Sequence, residues 1–282
     1  MSAFRTATFL GLAGITLAVG SMAASAAPTY LLNQDFDNTS TFPLNLIITS
    51  AGVGDASTSV GFWTASDDTA TYAPEIVADP TNAANHVVEV TRHAFGQTNL
   101  FGASNNTITS GVFTYQYSIY FPTDAGGANT IVTNINNTSA VTGGSPHAVG
   151  QQFRGATDSD VIVSSTPDEY TNGGSRTWGY SLNTSIPIAT WNTIRAVVDM
   201  DAGTWSMYLT SGANPEATVF TDRAFRAGDL SNVSAIGFYP QLPNDDHVVY
   251  LDNISLASVP EPASLGLLGL GGLAMLVRRR RR

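Results

Sequence analysis

The chain has 282 residues, a formal net charge of −10, and neither cysteine nor lysine. Without cysteine there is no disulfide framework and no thiolate metal site. The acidic balance also disfavours nucleic acid, whose phosphates it would repel.

Residues 1–26 read as a secretory signal peptide. Arg5 supplies a thin positive start, Phe9 to Val19 is an apolar run, and Ala24-Ser25-Ala26 is a small-residue cleavage site. This predicts signal peptidase as a first partner and Ala27 as the mature start. The 27–259 region then has the length of one all-β sandwich and enough residues to bury a core without staples. Within it, six arginines stand against 21 acidic residues, a balance that suits a solubilised surface and disfavours acidic polysaccharides.

Runs rich in Val, Ile, Thr and aromatics alternate with Gly/Asn/Asp/Ser clusters, and no window shows a helical apolar period. The expected strands are 30–36, 44–49, 60–63, 86–92, 112–121, 130–135, 148–154, 161–163, 176–182, 193–200, 205–210, 233–239 and 248–256. About a dozen strands imply two packed sheets. In 113–121, Phe113, Tyr115, Tyr117, Ile119 and Phe121 form one apolar face. Thr114, Gln116, Ser118 and Tyr120 form the other, with Tyr120 its one aromatic, so this strand is buried on one side. The stretch from Trp191 to Leu209 reads as strand, tight turn, strand, with Asp201-Ala202-Gly203 supplying the turn chemistry. Ile194, Ala196 and Val198 share a face of its first arm, and Trp205, Met207 and Leu209 share a face of its second.

The last residues, 260–282, come in three parts. A Pro260-Glu261-Pro262 tripeptide is followed by an apolar run from Ala263 to Val277 and by five arginines, Arg278 to Arg282. The prolines insulate the tail from the strand before it. Fifteen residues, with Ser264 the one polar side chain among them, make roughly 22 Å of helix, short of a ~30 Å hydrocarbon core but extended by snorkelling arginine stems. This is a short transmembrane helix, and the positive-inside rule leaves its arginines in the cytoplasm and the upstream domain outside.

This tail resembles the PEP-CTERM sorting signal of Gram-negative, biofilm-forming bacteria. The resemblance implies that Pro260, Glu261 and Pro262 are recognised by a membrane sorting enzyme, an exosortase, which removes the helix. The precursor is then membrane-anchored for a time, and the product belongs at the cell surface or in the extracellular matrix. The 191–209 hairpin, the opening stretch 31–37 and the closing stretch 248–256 resemble concanavalin-like, laminin-G-like jelly rolls. That resemblance implies a two-sheet jelly-roll sandwich whose opening and closing strands lie side by side. It brings Asp35 or Asp37 to Asp252 as oxygen ligands for a structural calcium ion; the alternative is an Asx-turn and backbone hydrogen bonds.

Candidate ligand-binding residues for an extracellular polysaccharide are Trp63, Trp178 and Tyr180, with Arg176 beside the last two, because rings stack on pyranose faces. The alternative fate of these rings is the core. Jelly-roll glycoside hydrolases need a pair of carboxylates on one face. Of Glu75, Glu89, Glu169 and Glu216, none sits in a Glu-x-Asp-x-x-Glu spacing. Glu89, Arg92 and His93 echo alginate-lyase-like sites, whose remaining motifs are missing. The expectation is therefore a non-catalytic, glycan-binding sandwich, with a divergent lyase or hydrolase and a purely structural matrix protein as alternatives.

Overall fold

Every regular element among the described residues is a strand, because the apolar residues recur at period two and Gly, Asn and Asp clusters interrupt them. The computed structural model describes residues 27–49, 51–65, 73–92, 100–122, 129–136, 150–157, 160–165, 180–224, 232–240 and 247–259. The expected signal and tail helices, the Pro260-Glu261-Pro262 tripeptide, Trp178 and Arg176 lie outside them. Among the described residues no helix is long and apolar enough to cross a membrane.

In chain order the strands are β1 (Thr29–Gln34), β2 (Val53–Asp55), β3 (Gly61–Ala65), β4 (Glu75–Ala78), β5 (His86–Arg92) and β6 (Leu100–Ile108). There follow β7 (Val112–Tyr120), β8 (Asn129–Asn136), β9 (Gly150–Thr157), β10 (Asp160–Ser165) and β11 (Tyr180–Pro187). The last five are β12 (Trp191–Asp199), β13 (Thr204–Ser211), β14 (Ala217–Ala224), β15 (Val233–Pro240) and β16 (His247–Ser258).

They form two eight-stranded sheets. The first runs β14-β13-β12-β7-β16-β5-β4, with β1 also paired to β16; the second runs β11-β10-β9-β8-β15-β6-β3-β2. All the pairs are antiparallel, and many join strands distant in sequence, as a jelly roll requires. The expected hairpin is β12–β13, with Ile194 opposite Leu209, Ala196 opposite Met207 and Val198 opposite Trp205. At its turn the Asp199 carboxylate accepts from the backbone N–H groups of Asp201 and Ala202, at 3.0 and 2.8 Å.

The core lies between the sheets. Phe113, Tyr115, Tyr117 and Ile119 of β7 are fully buried, as the alternation requires. Tyr117 meets Phe238 of the opposite sheet edge to face, with ring centroids 5.3 Å apart, a geometry worth about 0.5–1.5 kcal/mol beyond area burial. Trp63 is completely buried and packs on Phe36 at 5.3 Å.

Four strands were not expected: β2, β4, β6 and β14. The expected strand 44–49 is reduced to an isolated bridge between Ile47 and Glu75. Pro43 and the left-handed Asn45 (φ 62°) break this stretch before a ladder can extend.

The opening and closing strands do lie side by side. Thr29 of β1 is opposite Ser258 of β16, and Gln34 is opposite Ile254. In β16 a bulge against β7 falls between Asp252 and Ser255, where Asn253 takes a positive φ of 49°. The extra residue lets Leu251 and Ile254, three apart, both reach the core.

Candidate functional site: the outer face of the first sheet

The register aligns one row of residues across five strands of the first sheet, on the face away from the core. Trp191 of β12 is opposite Tyr120 of β7. Tyr120 is opposite Tyr250 of β16, Tyr250 opposite Glu89 of β5, and Glu89 opposite Glu75 of β4. Directly opposed residues share a face. At ~4.8 Å between strands the row spans about 19 Å. Tyr120 is tucked between its neighbours, 5.4 Å from Trp191 and 6.0 Å from Tyr250. Trp191, Tyr250, Glu89 and Glu75 remain half-buried. Burial, the Glu89 charge and a hydrogen bond with Glu89 push the Tyr250 phenol up to about 12, so it stays neutral and can donate.

A strap, residues 79–85 between β4 and β5, folds over the next row. Asp79 Oδ1 accepts from the Thr81 N–H at 2.7 Å, from the Thr81 hydroxyl at 2.7 Å and from Trp191 Nε1 at 3.2 Å. Asn85 Nδ2 donates to Asp79 Oδ2 at 3.2 Å and to Asp252 Oδ2 at 3.1 Å. Burial pushes the Asp79 carboxyl up, but the bonds from Thr81, Asn85 and Trp191 outweigh it and hold the group below the usual range. Under the strap Val87 is fully buried and Asp252 is 4% exposed.

Asp252 has no such balance. Desolvation raises it to about 7; its hydrogen bonds from Asn85 and the Asn253 N–H oppose this, and the charges of Asp37 and Asp35 add to it. The three aspartates singled out in the sequence are thus close, and each accepts at least one N–H. Asp252 accepts from Asn253 N at 2.7 Å and Asn253 Nδ2 at 3.0 Å as well as from Asn85. Asp35 caps the Asp37 N–H at 3.2 Å, and Asp37 accepts from the His86 N–H at 3.0 Å. Among the described residues no group of three or more His, Asp or Glu side chains could hold a metal ion. Each aspartate accepts N–H donors here, the arrangement of the Asx-turn and backbone-bond alternative.

The other candidate residues separate. Trp63 is corrected from ligand platform to core: it is 0% exposed, and its Nε1 donates to the Val60 carbonyl at 2.9 Å. Tyr180 opens β11 at the edge of the second sheet, whereas the row belongs to the first. The row itself was missed. Tyr120 stood out in the sequence as the one aromatic of a polar face, but strand pairing, which a sequence does not print, sets Trp191 and Tyr250 beside it. On the same outer face Arg195 is committed to Glu216 through two bonds of 2.8 and 2.6 Å and lies 4.1 Å over the Tyr208 ring.

The PEP-CTERM protein-sorting motif matches residues 258–282. The fold is similar to the catalytic domain of the glycoside hydrolase family 131 protein from Coprinopsis cinerea, at 16% identity over 83% of this chain and 96% of that chain, with a TM-score of 0.51. It is also similar to a sialidase, at 5% identity over 84% of this chain and 19% of that chain, with a TM-score of 0.50. At these identities the likeness is one of fold. No curated protein matches the chain by sequence. The molecule is thus an all-β jelly-roll sandwich with a PEP-CTERM motif at its C-terminus. That motif makes it an exported substrate of exosortase-type sorting, anchored transiently in the membrane.

Proposed function

We propose that the chain is a cell-surface or biofilm-matrix protein whose sandwich binds glycan. The organisation follows from the sequence: a signal peptide over 1–26, the sandwich over 27–259 and a sorting tail over 260–282. The observation that carries glycan binding is the row Trp191–Tyr120–Tyr250 on a solvent-facing sheet surface. Ring faces there are held at fixed tilt, with Trp191 tied to Asp79 and Thr81 through its N–H, which leaves the ring itself for contact. Aromatic bodies with a polar handle suit a ligand that is apolar on one side and wet on the other.

The test is affinity electrophoresis of the full chain in mild detergent through gels containing different polysaccharides. Retardation by at least one glycan, weakened tenfold or more in Trp191→Ala, is the expected result. Migration unaffected by every glycan would replace this reading with a purely architectural one. Release of reducing or unsaturated ends from the retained polysaccharide would make the protein a divergent hydrolase or lyase.

A further inference from the structure

The sorting motif and the closing strand share residues. The motif occupies 258–282, whereas β16 runs to Ser258 and its hydrogen bonding continues through Val259. Ser258 is opposite Thr29 of β1 on one side and Phe113 of β7 on the other. Its hydroxyl donates to the Thr29 carbonyl at 3.4 Å, and the Val259 N–H donates to the Val112 carbonyl at 2.9 Å. The next residue is Pro260, which has no N–H, so the ladder cannot run on through it. The tripeptide thus follows a strand paired on both sides, with no residue in between. Burial along that strand is graded: Leu256 is 0% exposed, Ala257 3%, Ser258 half-buried and Val259 40% exposed.

We propose that the sandwich and the sorting enzyme compete for the end of β16, so that Ser258 and Val259 must peel from β1 and β7 before the tripeptide is engaged. The inference rests on sorting of this tail and is independent of the glycan row. A residue before a proline is held extended, which favours at Val259 and Glu261 the conformation that peptide-binding clefts take up as an added strand. Such binding uses main-chain N–H and C=O groups, and each residue has one N–H to give. While Val112 holds the Val259 N–H, that donor is denied to the enzyme, and β1 and β7 stand where the walls of a cleft would go. Peeling two residues breaks few bonds and uncovers little apolar surface, so it belongs with the fraying at the low end of local opening energies. Peeling further would draw Ala257 and Leu256 out of the core. The segment on offer therefore begins at Ser258, where the family motif also begins. Two freed residues add about 7 Å of reach upstream of the tripeptide.

The experiment follows loss of the tail from the full chain, by immunoblot after a pulse of synthesis in cells that carry the sorting enzyme. Two variants move the end of β16 in opposite directions. Gly-Ser-Gly-Ser inserted between Val259 and Pro260 supplies unpaired backbone and should speed processing about threefold or more, with the melting temperature unchanged. The double variant Val112→Cys, Val259→Cys staples two residues that continue the register of Ser258 with Phe113. Opposed strand residues lie about 5 Å apart, within a disulfide's reach, and the chain has no other cysteine to compete. The oxidised staple should slow processing about tenfold or more, and reduction should restore the parent rate, which separates the cross-link from the side-chain changes. Equal rates for the parent, the insertion and the oxidised staple would overturn the competition and leave sorting standing. A tail kept by the parent and the insertion alike would overturn its removal, and this inference with it.

Discussion

Asp252 is where a single side chain has the largest say in how the molecule responds to pH. Its carboxyl lies near 7 in the fold against 3.8 for an ordinary aspartate, chiefly through burial and then through Asp37 and Asp35. The folded state therefore holds this proton more tightly than the unfolded chain. The resulting stabilisation is complete below about pH 4 and is lost as pH rises through 7. A shift of this size corresponds to a few kcal/mol at most, roughly 1.4 per unit. Asp252→Asn removes the titration and should melt higher than the parent at pH 8 while differing little at pH 4. Thermal melts from pH 4 to 9 would check it, and parallel curves for the two proteins would contradict it. The residue was legible in the sequence through its place in the closing strand, and so was its nearness to Asp35 and Asp37. Its burial was not, because Asn85 and Asp79 arrive from a loop that no period-two pattern announces.

Elements were legible where alternation was strong. β7, β12 and β13 stand close to where apolar residues at every second position put them. β6, with the sequence LFGASNNTI, escaped because Gly, Ser and Asn lower strand propensity. It forms because β3 and β15 pair with it on both sides. Gly102 shows what that composition is for. It is the direct partner of Trp63, and a Cβ at this position would lie 2.6–2.8 Å from the indole ring. The small residues of β6 thus make room for the largest side chain of the core. Gly102→Ala should destabilise the sandwich by about 1–3 kcal/mol, the range for overpacking. A lower urea midpoint with unchanged slope would be its signature. An unaltered midpoint would mean that the ring moves aside freely. Trp63 itself was misread for a related reason: alternation shows that two faces differ, and only the pairing of β3 inside the second sheet shows which one is covered.

For the whole molecule, fold class and route of export were both readable, the first from a dozen short strands and the second from the order of three segments in the tail. Replacing Pro260-Glu261-Pro262 with alanines should leave full-length protein in the membrane fraction, scored by fractionation and immunoblotting. Unchanged processing would show that sorting does not read the tripeptide. The face that carries the row was hidden because it depends on pairings between residues as distant as Glu89 and Tyr250. The adjacency of β1 and β16 has a mechanical consequence. The sandwich leaves toward both terminal segments from one corner, where Thr29 is opposite Ser258 and the Val259 N–H is bonded to the Val112 carbonyl at 2.9 Å. Tyr250 lies on the same strand as Ser258, about 25 Å away at the usual rise. A tug between a polymer held at the row and an attachment at the C-terminus would therefore run lengthwise along β16. Such a load pulls its ladders with β1, β5 and β7 in shear, so their hydrogen bonds share the force instead of opening one by one like a zip.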